Sequence, residues 1–272
     1  METPALACPN FIPNPRALRD FASAHGFGGI EWSITPENRP QNGSDRKDLE
    51  KALAGLFPLE VRFHAALPRT DPGHADPETA RQAMTVFQEV CRLAAGLGGR
   101  YLTIHLGLGR NSTNNLSWDR TIGALEDLAG FSAGLGLRLC LENLAWGWTS
   151  RPNVFEKFVR RAGLLVTLDI GHARVSPSVA SFEYDLKDFT RPHPDKVVGA
   201  HVYHVEEGDR HLPPPSAADL EDRLDLLRRL PRCDWWLLEL REEAPLLKTL
   251  EVVRQYLRLR NGAGEPYSLT RP

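Results

Sequence analysis

Six apolar segments of this chain end in a carboxylate or an imidazole, and that repeated ending limits the fold more than any other feature. LEVRFHA ends in His64, and YLTIHLG carries His105 near its end. LRLCLEN ends in Glu142 and Asn143, LLVTLDIGHA in Asp169 and His172, VVGAHVYH in His201 and His204, and WWLLELRE in Glu239. A hydrophobic strand that delivers a polar side chain at its C-terminal end and then turns into a loop is the local plan of a site built on a parallel sheet. Two further strands, ALACPNF and GGIEWSI over 28–34, precede these six.

Helical patterns lie between the strands. The first opens after Asn14-Pro15 and closes at Gly26. DRKDLEKALAGL follows the turn-rich loop TPENRPQNGS. The longest pattern runs from Pro77 to Leu97, with Ala83, Val86, Phe87, Val90, Cys91 and Ala94 at the three-four spacing of a half-buried helix. NNLSWDRTIGALEDLAGFSAGLG, NVFEKFVRRAG, AADLEDRLDLLRRL and APLLKTLEVVRQYLRLR continue the series, whereas 175–195 is less regular.

Strands and helices alternating in this way over 272 residues predict a closed α/β barrel, the (β/α)8 TIM barrel, as one domain over 1–272 with a loosely held tail at 260–272. An open doubly wound sheet would want a glycine-rich phosphate loop after its first strand, and CPNFIPNP is not one. Within LEVRFHA, alternation turns Val61 and Phe63 toward the helices and Glu60, Arg62 and His64 the other way, so the bore is polar. All the polar strand ends then fall at the C-terminal rim, where barrel active sites form.

Charge and composition argue against other classes, weakly in the case of nucleic acid. With 33 basic against 35 acidic residues and a net charge of -2, the chain has no basic footprint for nucleic acid. It has no apolar run of membrane-spanning length either. METPALACPNFIPNP lacks the basic start and continuous apolar core of a secretory signal, so a cytoplasmic location is expected. Cys8, Cys91, Cys140 and Cys233 are widely spaced without a C-x-x-C pair, which reads as buried free thiols.

Taken singly, a histidine at a strand end means little. Together, Glu142, Asp169 and Glu239 converging with His64, His105, His172, His201 and His211 would repel one another and suffer heavy desolvation unless a cation held them. A divalent metal is the simplest resolution, and mixed imidazole and carboxylate sets suit zinc, manganese, iron or cobalt. The competing reading is a polar barrel mouth satisfied by water and salt bridges.

The ordered set HAALP, IHLG, LEN, LDIGHA, H-V-Y-H, D-R-H-L-P and LLELRE resembles the xylose isomerase-like barrel superfamily, which holds sugar isomerases and epimerases together with endonuclease IV. The resemblance covers nearly the whole chain, from GFGGIEW to LLELRE. For the isomerase and epimerase members it implies one divalent ion (manganese, zinc, cobalt or magnesium) held by Glu142, Asp169, His201 and Glu239. It also implies a small sugar or sugar phosphate as substrate, with Glu142 and Glu239 moving the proton of an enediolate mechanism. His172, His64, His105 and Arg210 would meet substrate oxygens. Homo-oligomerisation is compatible with it.

The seventh strand leaves its ligand open. Alternation sends Val198, Ala200 and Val202 to the helices and His201 and Tyr203 inward, which favours His201. Read as H-V-E-E-G-D-R, the epimerase pattern puts His204 on the metal, and a bulge would permit either.

Endonuclease IV resembles this chain at all its metal positions, which would be His64, His105, Glu142, Asp169, His172, His201, Asp209, His211 and Glu239. That likeness implies zinc-activated water acting on a phosphodiester. LENLAWG also matches its LEN-x-A-x-G turn, but LDIGH, HVYH and HAALP depart from its other motifs. A barrel that binds a sugar or metal without turnover is a third reading, disfavoured by the intact carboxylates on strands five and eight.

Other features read plainly. Trp146 and Trp148 follow Glu142 and would wall the mouth or stack on a sugar, whereas Trp235 and Trp236 belong at the barrel bottom. His25, His74 and His193 are expected in solvent, and Arg69 and Arg110 follow rim strands where a phosphate would bind.

Overall fold

The computed structural model describes residues 3–108, 112–208 and 210–262, and the tail beyond them lies outside the described residues. Eight parallel strands close into a barrel in the order β1, β10, β7, β6, β5, β4, β3, β2. These are β1 (Ala5–Pro9), β2 (Gly29–Ile34), β3 (Glu60–Ala65), β4 (Tyr101–Ile104), β5 (Arg138–Glu142), β6 (Leu165–Asp169), β7 (Val197–Val202) and β10 (Trp235–Leu238). Between β7 and β10 the chain makes an antiparallel hairpin, β8 (Val205–Glu207) and β9 (Arg210–Leu212). The segment VVGAHVYH is therefore not strand to its end: β7 stops at Val202 and the chain reverses over the barrel mouth.

The helices start where the sequence supplies caps. Asn14 accepts from the amides of Arg16 and Ala17 ahead of α1 (Pro15–Ala24), and Pro15 needs no hydrogen-bond acceptor in the first turn. Asp76 caps α3 (Pro77–Gly96) in the same way, and Gly98, at φ +81°, takes the left-handed position after it. The other long helices are α2 (Gly43–Ala54), α4 (Trp118–Gly134), α5 (Pro152–Arg161), α8 (Ala218–Arg229) and α9 (Glu243–Gly262). LLVTLDIGHA leaves its strand at Asp169 and turns into α6 (Ile170–Val175), and the less regular segment after it folds as α7 (Pro177–Ala180) and two single 3-10 turns. None of the described helices is long and apolar enough to cross a membrane.

The main core lies between the sheet and the helices. Phe63, Leu102, Leu139, Val166, Ala200 and Leu238 point outward from the strands to meet Leu18, Phe87, Val90, Leu125, Phe158 and Leu224. The bore is layered. At the bottom, the Arg62 guanidinium lies over the rings of Tyr101 and Trp235 at 4.4 and 4.5 Å and donates to Glu60, Asp234 and the Val198 carbonyl. Trp235 is fully buried there, as expected, whereas Trp236, one residue on, faces the helices and is fully buried in the outer core. A Cβ on Gly29 would come within 2.2 Å of Trp235, so the strand passes this ring only as glycine. Midway up, Thr103 and Thr167 share a hydrogen bond of 2.8 Å. Above them the bore is lined by carboxylates and imidazoles.

The four cysteines are buried and unpaired, and burial pushes each thiol up to about 12. Three histidines depart from expectation. His193 is buried against Phe155, and His25 and His74 are half-buried, because each packs at a helix end rather than on a free loop.

Candidate metal centre

Register brings the polar strand ends to one level. Asp169 on β6 pairs with His201 on β7, and His201 pairs with Leu237 on β10, two residues before Glu239. On the far side, Ser33 of β2 pairs with His64 of β3. The β6–β7 ladder contains a register shift, with Val166 opposite Val197 and Thr167 opposite Gly199. This bulge lies below His201 and leaves its ring pointing into the bore.

Glu142, Asp169, His201 and Glu239 each place one ligand atom within 4.8 Å of all the others, and all four are buried. His201 Nδ1 lies 3.1 Å from Glu239 Oε2, 3.3 Å from Glu142 Oε2 and 3.8 Å from Asp169 Oδ2. Two ligands about 2.1 Å from a common ion sit roughly 3.0–3.4 Å apart at angles between octahedral and tetrahedral, so the separations from Glu239 and Glu142 suit one ion, and Asp169 stands slightly farther out. The remaining atoms of the set are anchored. Asp169 Oδ1 accepts from the His172 amide at 2.7 Å and caps α6, while Oδ2 accepts from the Tyr203 hydroxyl at 3.0 Å. Asn143 holds the same turn from both sides, accepting from the Asp169 amide and donating to its carbonyl.

Three neighbouring groups share this mouth, one of them Glu31 with His64 and His201. His64 Nε2 and His105 Nε2 are 3.0 Å apart, and Glu142 Oε2 is 3.4 and 3.1 Å from them. His172, Glu206 and His211 form the third group. Glu206 and His211 are cross-strand partners in the β8–β9 hairpin, which puts both side chains on the face toward His172. His211 also donates from Nδ1 to the Glu239 carbonyl at 2.7 Å and stacks parallel on Tyr203 at 3.8 Å.

Charge accounting supports a cation. Glu31 Oε1, Glu239 Oε2, His105 Nδ1 and both nitrogens of His201 are buried without a hydrogen-bond partner. Such a concentration of bare polar atoms is costly unless something binds it. Burial alone would lower the His201 pKa, yet Glu142, Glu239 and Glu31 outweigh it and hold the ring well above its ordinary value. His172 is likewise raised to about 10 against its burial, by Asp169 and Glu142. Burial opposes ionisation of Glu142, but His201 and His105 hold it well below the carboxylate range. Burial leaves His105 lowered. Protons on imidazole thus balance the carboxylates here, a role that a divalent ion takes over in a metal site.

Some expected residues are not brought together with the rest. His204 turns away from the bore: its carbonyl and Nδ1 both face Arg223 on α8, because the chain has left the strand pleat after Val202. Arg210 is exposed at the rim, 3.8 Å from Glu242. Asp209 and Arg110 lie outside the described residues, and Arg69 is exposed. Trp146 reaches the mouth, 6.1 Å from His172, whereas Trp148 packs on Trp118 and Phe158.

Two acidic residues of the mouth were not anticipated. Glu206 lies past the apolar run that ends at His204, on a hairpin that strand alternation does not mark. Glu31, mid-β2, is 3% exposed and lies 3.2 Å from His64 Nδ1 and 3.0 Å from His201 Nε2. Its signal was an acidic residue between Ile30 and Trp32 in a strand with no other charge.

A parallel eight-stranded barrel with a carboxylate–imidazole cluster at its C-terminal mouth defines the class: a TIM barrel whose mouth carries side chains that could hold a metal ion. Within that class, the family model described as Xylose isomerase-like TIM barrel matches residues 19–258, and the chain belongs to that family. An uncharacterized protein of Methanocaldococcus jannaschii is 30% identical over 162 residues, covering 60% of this chain and 69% of that protein. Among solved structures, a D-tagatose 3-epimerase-like protein superposes with a TM-score of 0.74 at 16% identity, over 95% of this chain and 98% of that one. D-allulose 3-epimerase from Methylomonas sp. in complex with D-allulose gives 0.71 at 14% identity, over 94% and 98%. Endonuclease IV from Thermus thermophilus gives 0.64 at 18%, over 94% and 100%. At these identities the structural likeness establishes the fold.

Proposed function

We propose that the protein is a divalent-metal-dependent isomerase or epimerase of a small sugar or sugar phosphate. The observation that carries this reading is the convergence of Glu142, Asp169, His201 and Glu239 on one point at the mouth. The epimerase folds it resembles, one of them solved with D-allulose, support the substrate class. A manganese, zinc, cobalt or magnesium ion bound there would supply Lewis acidity for a ketose carbonyl and its enediolate.

The chain's own residues do the rest. Glu239, whose Oε2 has no hydrogen-bond partner, and Glu142 face each other across His201, and each would hold the proton taken from the carbon beside the carbonyl. Trp146 and Glu206, both neighbours of His172, border a cavity of about 470 Å³ whose other walls include Thr113 and Asn114. Among the described residues its lining contains no lysine or arginine, which fits a neutral polyol better than a polyanion.

The test is solvent exchange. Ketoses incubated with the manganese-loaded protein in heavy water should lose the proton signal of the carbon next to the carbonyl, and Glu142→Gln or Glu239→Gln should abolish that loss and weaken ion binding. Exchange at the wild-type rate in both variants would overturn the assignment. A second reading, a zinc phosphodiesterase like endonuclease IV, is favoured by two of the further groups, His64 with His105 and Glu142, and His172 with Glu206 and His211. It predicts cleavage of abasic DNA by the zinc-loaded protein.

A further inference from the structure

We propose that Glu31 is a positioning residue for the mouth, holding His64 and His201 at once through a single carboxylate oxygen and so deciding which nitrogen each ring presents to the site. The proposal rests on the metal-site reading above and adds to it a residue that is not one of the four ligands.

The geometry is specific. Oε1 of Glu31 lies 3.2 Å from His64 Nδ1 and 3.0 Å from His201 Nε2, ion-pair distances at which neither contact has hydrogen-bond alignment, so the shared acceptor is the arrangement proposed for the ion-loaded site. In each ring it is the other nitrogen that faces the ligand set. His64 Nε2 looks at His105 Nε2 and Glu142 Oε2, at 3.0 and 3.4 Å. His201 Nδ1 looks at Glu239 Oε2 and Glu142 Oε2, at 3.1 and 3.3 Å. The two rings come from β3 and from β7 across the bore, so one side chain on β2 ties opposite walls of the barrel.

Chemistry explains why the acceptor must be anionic and shared. A neutral imidazole that gives one nitrogen to an ion keeps its proton on the other, and a carboxylate accepting that N–H fixes both tautomer and ring orientation. Glu31 is 3% exposed, and the arginine that fills the bore, Arg62, is engaged with Glu60 and Asp234 at the bottom. The two rings are therefore the partners that its charge meets. Glu31, His64 and His201 also stand close enough to surround an ion themselves. An ion there would need both nitrogens of rings already facing the main site, hence imidazolates, whereas a shared acceptor needs only neutral rings.

Two measurements decide it. In zinc-loaded, 15N-labelled wild-type protein, nitrogen shifts should show His64 protonated at Nδ1 and His201 protonated at Nε2. Protons on the opposite nitrogens would overturn the proposal even if the Glu31 variant fails to fold. In Glu31→Gln, zinc affinity measured by competition with a chelating dye should fall about 10- to 100-fold, with the circular dichroism of the wild type. Wild-type affinity in a folded Glu31→Gln overturns the role of Glu31 and leaves the metal site standing. A wild-type protein that takes up no zinc overturns the metal reading and this proposal with it.

Discussion

Tyr203 donates its hydroxyl to Asp169 Oδ2 at 3.0 Å while its ring lies parallel to His211 at 3.8 Å, so one buried side chain supports two strand ends and the hairpin over the mouth. Burial first, and then the neighbouring carboxylates, raise its pKa well above the ordinary value, which keeps the phenol a donor across the working pH range. Tyr203→Phe keeps the stack and removes the donor. It should weaken ion binding by about 10-fold or more, as loss of a hydrogen bond to a ligand does, read by chelator competition. Gly171 belongs to the same contact, since a Cβ there would come within 2.1 Å of the Tyr203 ring. Gly171→Ala should cost about 1–3 kcal/mol of stability through overpacking, measured as a lower denaturant midpoint. At this scale the sequence was legible wherever a residue ended an apolar run: Glu142, Asp169, His201 and Glu239 announced themselves by position. Glu31 did not, because an acidic residue in the middle of a short strand matches the alternation of a strand with one wet face, and only barrel closure turns that face inward.

The connection between β7 and α8 shows the limit of pattern reading for elements. Period-two alternation placed His201 inward and survives the bulge at Val198, because the bulge precedes the histidine. It could not show that the chain reverses after Val202 into a hairpin, which takes His204 out to Arg223 and brings Glu206 in beside His172. The segment before β7 carries a related lesson: His193 lies in a polar, proline-flanked stretch, yet it is buried against Phe155. Burial, and then the charge of Lys196, lower its pKa below the ordinary 6.5. The folded chain therefore binds this proton less readily than the unfolded chain. The associated stability is present above about pH 6.5 and is lost as pH falls through the folded value. In urea denaturation, His193→Gln should gain stability relative to the wild type as pH falls from roughly 7 to 5. Equal slopes would place the acid sensitivity elsewhere.

Across the whole molecule, the barrel works as a frame that forces like charges together. Helix packing and ladder pairing supply the stability, and the mouth draws on it to hold Glu31, Glu142, Asp169 and Glu239 out of water. An ion at the mouth should therefore stabilise the fold by mass action. At a hundred times its dissociation constant it adds about 2.7 kcal/mol, which should appear as a rise of several degrees in Tm that a chelator reverses. The architecture was legible from the alternation of strands and helices and from strand ends of one chemical type. How the side chains of the mouth divide into centres was not, because their order along the chain does not say which of them share a centre, and here Glu142 belongs to two groups. Elemental analysis of freshly purified protein in metal-free buffers, with Glu142→Gln beside it, counts the ions at the mouth. A single shared centre requires about one divalent ion per chain, exchangeable with manganese or cobalt and lost from the variant. Protein that carries no ion and takes none up, or that holds two or three zinc ions tightly, would contradict it.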